Sequence, residues 1–243
     1  MSSVLESVEW SKPILKLLSH MEKLDPIHPT ILHIRHTETL HRARNQMGTP
    51  QGYSSLSTEK GKQATYELGT LLPKNKKYRL YHTKIERTKE TAQELQKGLH
   101  SNGANAEIQG NIPVSITVDV SKFQQVTRQE RDLGLIIQDV GTRWLAGVYS
   151  DSIRVPSLGF DKTAASIMLD NLKSADIACV DVYVSHEVYV AAYMFHWFGI
   201  YPKDWVEFLE GFILQLLDDR MIIYTKKGKT ERLYPHWWDI KEK

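Results

Sequence analysis

At 243 residues, with 31 Lys and Arg against 29 Asp and Glu, the chain carries a formal charge of +2, which excludes a polycationic nucleic-acid binder or an acidic tail. Hydrophobic residues at 41% and charged residues at 25% exclude collagen, wholesale disorder and coiled coil, and the length is most economically one domain over residues 1–243. One cysteine excludes an internal disulfide and a multi-cysteine metal site.

Leu5 to Met21 carries Val8, Leu15, Leu17 and Leu18 but is broken by Pro13, which predicts a short amphipathic helix starting near that proline. Glu6 and Glu9 precede any long apolar stretch, unlike a signal peptide, so a cytoplasmic protein is expected. Thr30 to Arg35 reads as a buried strand, its apolar run ending abruptly at Arg35-His36. His41 to Leu56 has loop chemistry, after which Ser57 is placed to cap a helix reaching about Leu72 and ended by Pro73. Tyr78 to His82 is a second strand, and Thr83-Lys84-Ile85-Glu86 has the spacing of a capping box opening a helix to about His100.

Residues 101–160 are punctuated by glycine and proline without a clean period, which predicts an inserted cap, with a strand over Pro113 to Val118 and a helix over Ser121 to Ile137. Asp161 to Lys173 reads as a helix with Ala164, Ile167, Met168 and Leu172 on one face. Cys179 to Val184 alternates Val180, Val182 and Val184, a third strand that gives way to His186-Glu187 and a helix stopped by Gly199. Gly211 to Leu217 and Met221 to Thr225 flank Asp218-Asp219-Arg220 as a terminal hairpin. The longest apolar run, Val188 to Phe195, is far short of the roughly 20 residues that a membrane span needs, so no membrane partner is expected. Strands alternating with helices predict a three-layer α/β/α sandwich with a mainly parallel open sheet, whose site lies beyond the carboxyl ends of the strands.

Arg35-His36 and His186-Glu187 both stand at such ends. Arg87 falls in the first turn of a helix, where the dipole repels a cation, a conflict that a bound anion removes. Guanidinium groups recognise phosphate oxygens, a neutral imidazole attacks phosphorus, and a carboxylic acid protonates a departing alkoxide. These five side chains are therefore a coherent set for phosphoryl chemistry. Cys179 lacks the arginine of a tyrosine-phosphatase loop, Ser185 lacks the glycines of a nucleophile elbow, and no histidine follows His186-Glu187 at zinc spacing, so no catalytic metal and no cofactor are expected. Trp197, Trp205, Trp237 and Trp238 read as core or interface anchors and Lys226-Lys227-Gly228-Lys229 as a solvated turn.

Four ordered segments resemble the histidine phosphatase superfamily: Leu32-His33-Ile34-Arg35-His36-Thr37-Glu38-Thr39, Leu56-Ser57 before the Gly61 helix, Tyr81-His82-Thr83 followed by Arg87 and Thr91-Ala92, and Val182-Tyr183-Val184-Ser185-His186. The resemblance implies a phosphoglycerate mutase-like fold. It also implies that His36 becomes a phosphohistidine while Arg35, Arg87 and His186 hold phosphoryl oxygens. Thr37 replaces the family glycine and offers a possible hydroxyl donor to the phosphate; Arg42 is a further substrate-binding candidate. Glu187 directly follows the second histidine, as the proton donor does in the acid phosphatase branch; Glu130 and Glu107 of the insert are the alternatives if the chain is mutase-like. The expected activity is metal-independent hydrolysis of a small-molecule phosphomonoester. A phosphoglycerate mutase-like phosphotransferase and a silent phospho-ligand binder are the other readings, and the oligomeric state is left open.

Overall fold

The computed structural model describes residues 3–40, 54–174, 179–201 and 204–238. Seven strands, β1 (Thr30–Arg35), β2 (Lys77–His82), β3 (Asn105–Asn111), β4 (Cys179–Ser185), β5 (Gly211–Leu216), β6 (Arg220–Thr225) and β7 (Gly228–Leu233), form one sheet in the order β3-β2-β4-β1-β5-β6-β7. The first four in that order run parallel, and β5, β6 and β7 add antiparallel. The parallel core was legible as expected, and the sheet as a whole is mixed.

Alternation along the central strands gives each face its own core. Leu32, Ile34, Val180, Val182 and Val184 pack with α1 (Val4–Ser7), α2 (Lys12–Leu18), α3 (Glu59–Leu71) and α4 (Glu86–Ser101). Ile31, Tyr183, Phe212 and Leu214 point the other way, onto α6 (Ile137–Leu145), α7 (Ser157–Lys173) and α8 (Glu187–Phe198). Between β3 and α6 lies α5 (Val120–Asp132). Pro13 stands in the first turn of α2, where its missing N–H costs nothing, and Gly199 ends α8 with φ 65°. No helix among the described residues is long and apolar enough to cross a membrane.

Four local expectations shift. The cap of α3 is Thr58, not Ser57: its hydroxyl accepts from Gly61 N at 2.8 Å. The strand expected over Pro113 to Val118 lies earlier, at β3, an edge strand whose Ala106 and Ile108 alternate with polar residues, so residues 105–111 continue the main sheet. The single helix expected over Ser121 to Ile137 is two, separated near Gly134 at φ 87°. The hairpin gains β7, closed by a turn at Gly228 with φ 113°; its mostly exposed Lys, Thr, Glu and Arg lack the apolar pattern of a strand.

Register sets the site. Arg35 pairs with Ser185, and His82 with Val184, so β1, β2 and β4 end level with one another. Residues 35–37, 83–87 and 185–187, far apart in sequence, leave the sheet side by side.

Candidate active site

His36 continues the β1 ladder by one residue, its N–H donating to the Ser185 carbonyl at 2.9 Å, and its ring is almost wholly buried. Nδ1 lies 2.7 Å from the Thr37 carbonyl, which can only accept, so the ring proton sits on Nδ1 and the lone pair on Nε2. Arg87, in the first turn of α4, donates from Nε to that lone pair at 3.0 Å. The same guanidinium reaches Nδ1 of His186 at 3.3 Å. His186 is the N-cap residue of α8, and its ring centroid is 5.5 Å from that of His36. Glu187 begins α8, with its carboxylate 3.2 Å from Arg35 Nε, unaligned as a hydrogen bond, and 4.0 Å from His36 Nε2. Thus Arg35, His36, Arg87, His186 and Glu187 form one cluster.

Burial is the largest influence holding His36 well below the ordinary histidine range, followed by the positive charges of Arg87 and Arg35 and then His186; the hydrogen bond to the Thr37 carbonyl opposes them weakly. His186 is lowered for the same reasons, burial first, then Arg87 and Arg35. Both rings are neutral at pH 7. Two guanidinium groups against one carboxylate leave the cluster net positive and receptive to an anion.

Thr37 does not join it. Its hydroxyl donates to the Gly61 carbonyl at 2.9 Å and its N–H to Thr91 Oγ1 at 3.1 Å, and the residue is fully buried against α3. The expected phosphate contact through its hydroxyl is therefore corrected to a brace between β1 and two helices. A β-carbon on Gly61 would lie 2.9 Å from Thr37 Oγ1, so the glycine makes the room that the threonine fills. Arg42 lies outside the described residues. Glu130 accepts from Arg143 Nε at 2.9 Å and from the Tyr149 hydroxyl at 2.8 Å, which commits it to the packing of residues 123–154. Glu107 lies on the β3 edge, exposed beside Gln109.

Two features escape the sequence. Thr83 does not cap α4, whose N-cap is Ile85; its hydroxyl instead meets His186 Nε2 at 3.0 Å. A wall of the site comes from residues 206–211. The Val206 carbonyl accepts from Arg35 at 2.6 Å, the Phe208 ring lies 4.2 Å beneath that guanidinium, and the Glu210 carbonyl accepts from Arg35 N at 2.9 Å. Leu209, buried at φ 56°, is the one non-glycine residue with positive φ among those described, an uncommon backbone state of the kind that gathers at functional sites. Nothing in the sequence marks it, because leucine is not a residue that favours positive φ.

No protein-family model and no curated protein sequence matches the chain. Solved structures do. Phosphoglycerate mutase from Bacillus anthracis str. Sterne is 19% identical, with 86% of this chain and 93% of that one covered at a TM-score of 0.55. Bacillus stearothermophilus YhfR is 15% identical, covering 78% and 92% at 0.56. A mycobacterial glucosyl-3-phosphoglycerate phosphatase is 14% identical, covering 85% and 97% at 0.51. The chain therefore has the phosphoglycerate mutase-like fold.

Proposed function

We propose that the protein hydrolyses small-molecule phosphomonoesters through a phosphohistidine formed on His36. The observation that carries this reading is that Arg87 spans the free lone pairs of two buried neutral imidazoles, with Arg35 and Glu187 beside them. An unprotonated Nε2 is the state in which histidine is a nucleophile. Phosphoryl transfer needs charge stabilisation and in-line positioning more than covalent assistance; the guanidinium groups of Arg35 and Arg87 supply the charge, and neutral His186 accepts from Arg87 and orients it.

In this reading a phosphoryl group draws Arg35 away from Glu187 and Arg87 away from the two rings. His36 Nε2 forms the N–P bond as the P–O bond to the leaving group breaks, and Glu187 relays to the departing oxygen a proton brought in by the phosphomonoester monoanion. Water then attacks phosphorus, Glu187 takes its proton, and the N–P electron pair returns to the imidazole. A panel of phosphomonoesters assayed with purified protein in chelator tests this. Turnover is expected, with loss of turnover in His36→Ala and phosphate trapped on His36 by rapid quenching without acid. Phosphate binding without turnover across the panel would replace the hydrolase with a silent binder.

A further inference from the structure

Behind His186, on the side away from Arg87, stand two buried threonines that the mechanism does not use. Thr88 Oγ1 lies 2.7 Å from the Ile85 carbonyl and 3.0 Å from Thr83 Oγ1, and it also accepts from Thr83 N at 3.1 Å. Thr83 Oγ1 lies 3.3 Å from the N–H of Ile85 and 3.0 Å from His186 Nε2. Each hydroxyl has a single proton, which fixes the direction of the chain. Thr88 spends its proton on backbone carbonyls, that of Ile85 at 2.7 Å and, less closely, that of Thr83 at 3.2 Å, neither of which can donate back. Thr83 must then donate to Thr88, which leaves its lone pairs for Ile85 N–H and for a proton on His186 Nε2. The opposite side of the ring gives the same answer independently. Arg87 can only donate, so Nδ1 at 3.3 Å accepts and the proton belongs on Nε2.

We propose that Thr83, backed by Thr88, is a positioning residue of the phosphoryl site: it holds His186 as the Nε2-protonated tautomer and aims the Nδ1 lone pair at Arg87 and the pocket. His36 has the opposite tautomer, set by the Thr37 carbonyl, so the two rings turn two lone pairs toward one guanidinium. Without the Thr83 acceptor, His186 has no buried partner for its Nε2 proton and is free to flip, which takes from Arg87 the acceptor that orients it. The catalytic consequence rests on the phosphatase reading above. The tautomer itself does not.

The test is long-range ¹H–¹⁵N correlation NMR on the uniformly labelled full chain at neutral pH, read beside kcat/KM for p-nitrophenyl phosphate. The unliganded protein is expected to show His186 protonated at Nε2 and His36 at Nδ1. Thr83→Ser keeps the hydroxyl and should preserve both the tautomer and activity. Thr83→Val should mix the His186 tautomers and lower kcat/KM about tenfold or more, the loss expected when a buried donor is left without an acceptor. Thr88→Val, one link further back, should perturb the same resonance in the same direction and serves if Thr83→Val does not fold. A wild-type His186 protonated at Nδ1, or His186 ¹⁵N shifts unchanged in both valine variants, overturns the proposal whatever the activity. Correct tautomers with no turnover of any phosphomonoester overturn the hydrolase reading and leave the positioning role standing.

Discussion

Arg87 occupies a position that the helix dipole disfavours, and its partners explain how the unliganded site tolerates it: imidazole lone pairs accept from the guanidinium at two of its nitrogens. The neutrality of these rings has a cost. His33, stacked within 5.8 Å of Tyr183 and fully buried on β1, is pushed down by burial to about 3, and His36 and His186 are also lowered. A histidine whose folded pKa lies below the unfolded value of 6.5 binds more protons unfolded than folded throughout the gap. Its contribution is thus fully present above about pH 6.5 and erodes as pH falls toward the folded value, at up to about 1.4 kcal/mol per pH unit for each ring. Urea midpoints are expected to decline steadily between about pH 7 and pH 5, and a flat profile over that range would contradict the burial of neutral rings. Glu187 carries a second prediction at this scale. As general acid it should matter most for poor leaving groups, so Glu187→Gln is expected to slow alkyl phosphates by about 10²–10⁴-fold and activated aryl phosphates far less. Equal small losses on both ester types would remove Glu187 from the role.

At the scale of elements, the site depends on how closely α4 lies against α3, because α4 carries Arg87. The two helices cross through a pair of glycines: a β-carbon on Gly98 would run into the Tyr66 carbonyl oxygen, and one on Gly69 into that of Leu95. Gly98→Ala gains about 1 kcal/mol of helix propensity but forces the helices apart, an overpacking cost of about 1–3 kcal/mol. A lower thermal midpoint together with a reduced kcat/KM is the expected result, and a stabilised variant would show that propensity wins. The crossing was not readable beforehand, since a helical glycine looks the same whether it faces solvent or another backbone. Strands β1 and β4 were readable to within a residue, β1 by its apolar run and β4 by its alternating valines, with polar pairs at their ends. Arg35-His36 and His186-Glu187 were found by those ends. Edge strands β3 and β7 were missed, being half polar, and Thr83 was taken for a cap because capping and histidine positioning ask for the same hydroxyl. The orientation of Thr37 depends on Gly61, whose nearness only the fold creates.

At the scale of the molecule, the two cores lie on opposite faces of the sheet, and a buried ion pair stands within it: Arg79 on β2 grips both carboxylate oxygens of Asp181 on β4, at 2.6 and 2.7 Å, and donates to the Asn171 carbonyl at 2.6 Å. That pair ties α7 to the strands on one face. On the other face the N-terminal segment takes the corresponding place. Ser3 Oγ and Leu5 N both donate to Glu67 of α3 at 2.8 Å, while Trp10 sets its edge against Phe208 with the centroids 5.8 Å apart. Phe208 in turn lies 4.2 Å under Arg35 and 5.8 Å from the His36 ring. A contact chain therefore runs from the helical N-terminal segment, through one aromatic ring, to the arginine that would hold phosphate. Truncating a buried tryptophan costs about 3–5 kcal/mol, a large share of the roughly 5–15 kcal/mol that holds a domain folded, so Trp10→Ala should lower the urea midpoint markedly. If the chain of contacts also fixes Arg35, the same variant, kept at a temperature where it remains folded, should bind inorganic phosphate more weakly by calorimetry, and Trp10→Phe should recover part of both losses. A Trp10→Ala protein that is destabilised yet binds phosphate as tightly as the parent would confine the N-terminal segment to packing and leave the Val206 carbonyl and Glu187 as the supports that hold Arg35 in place.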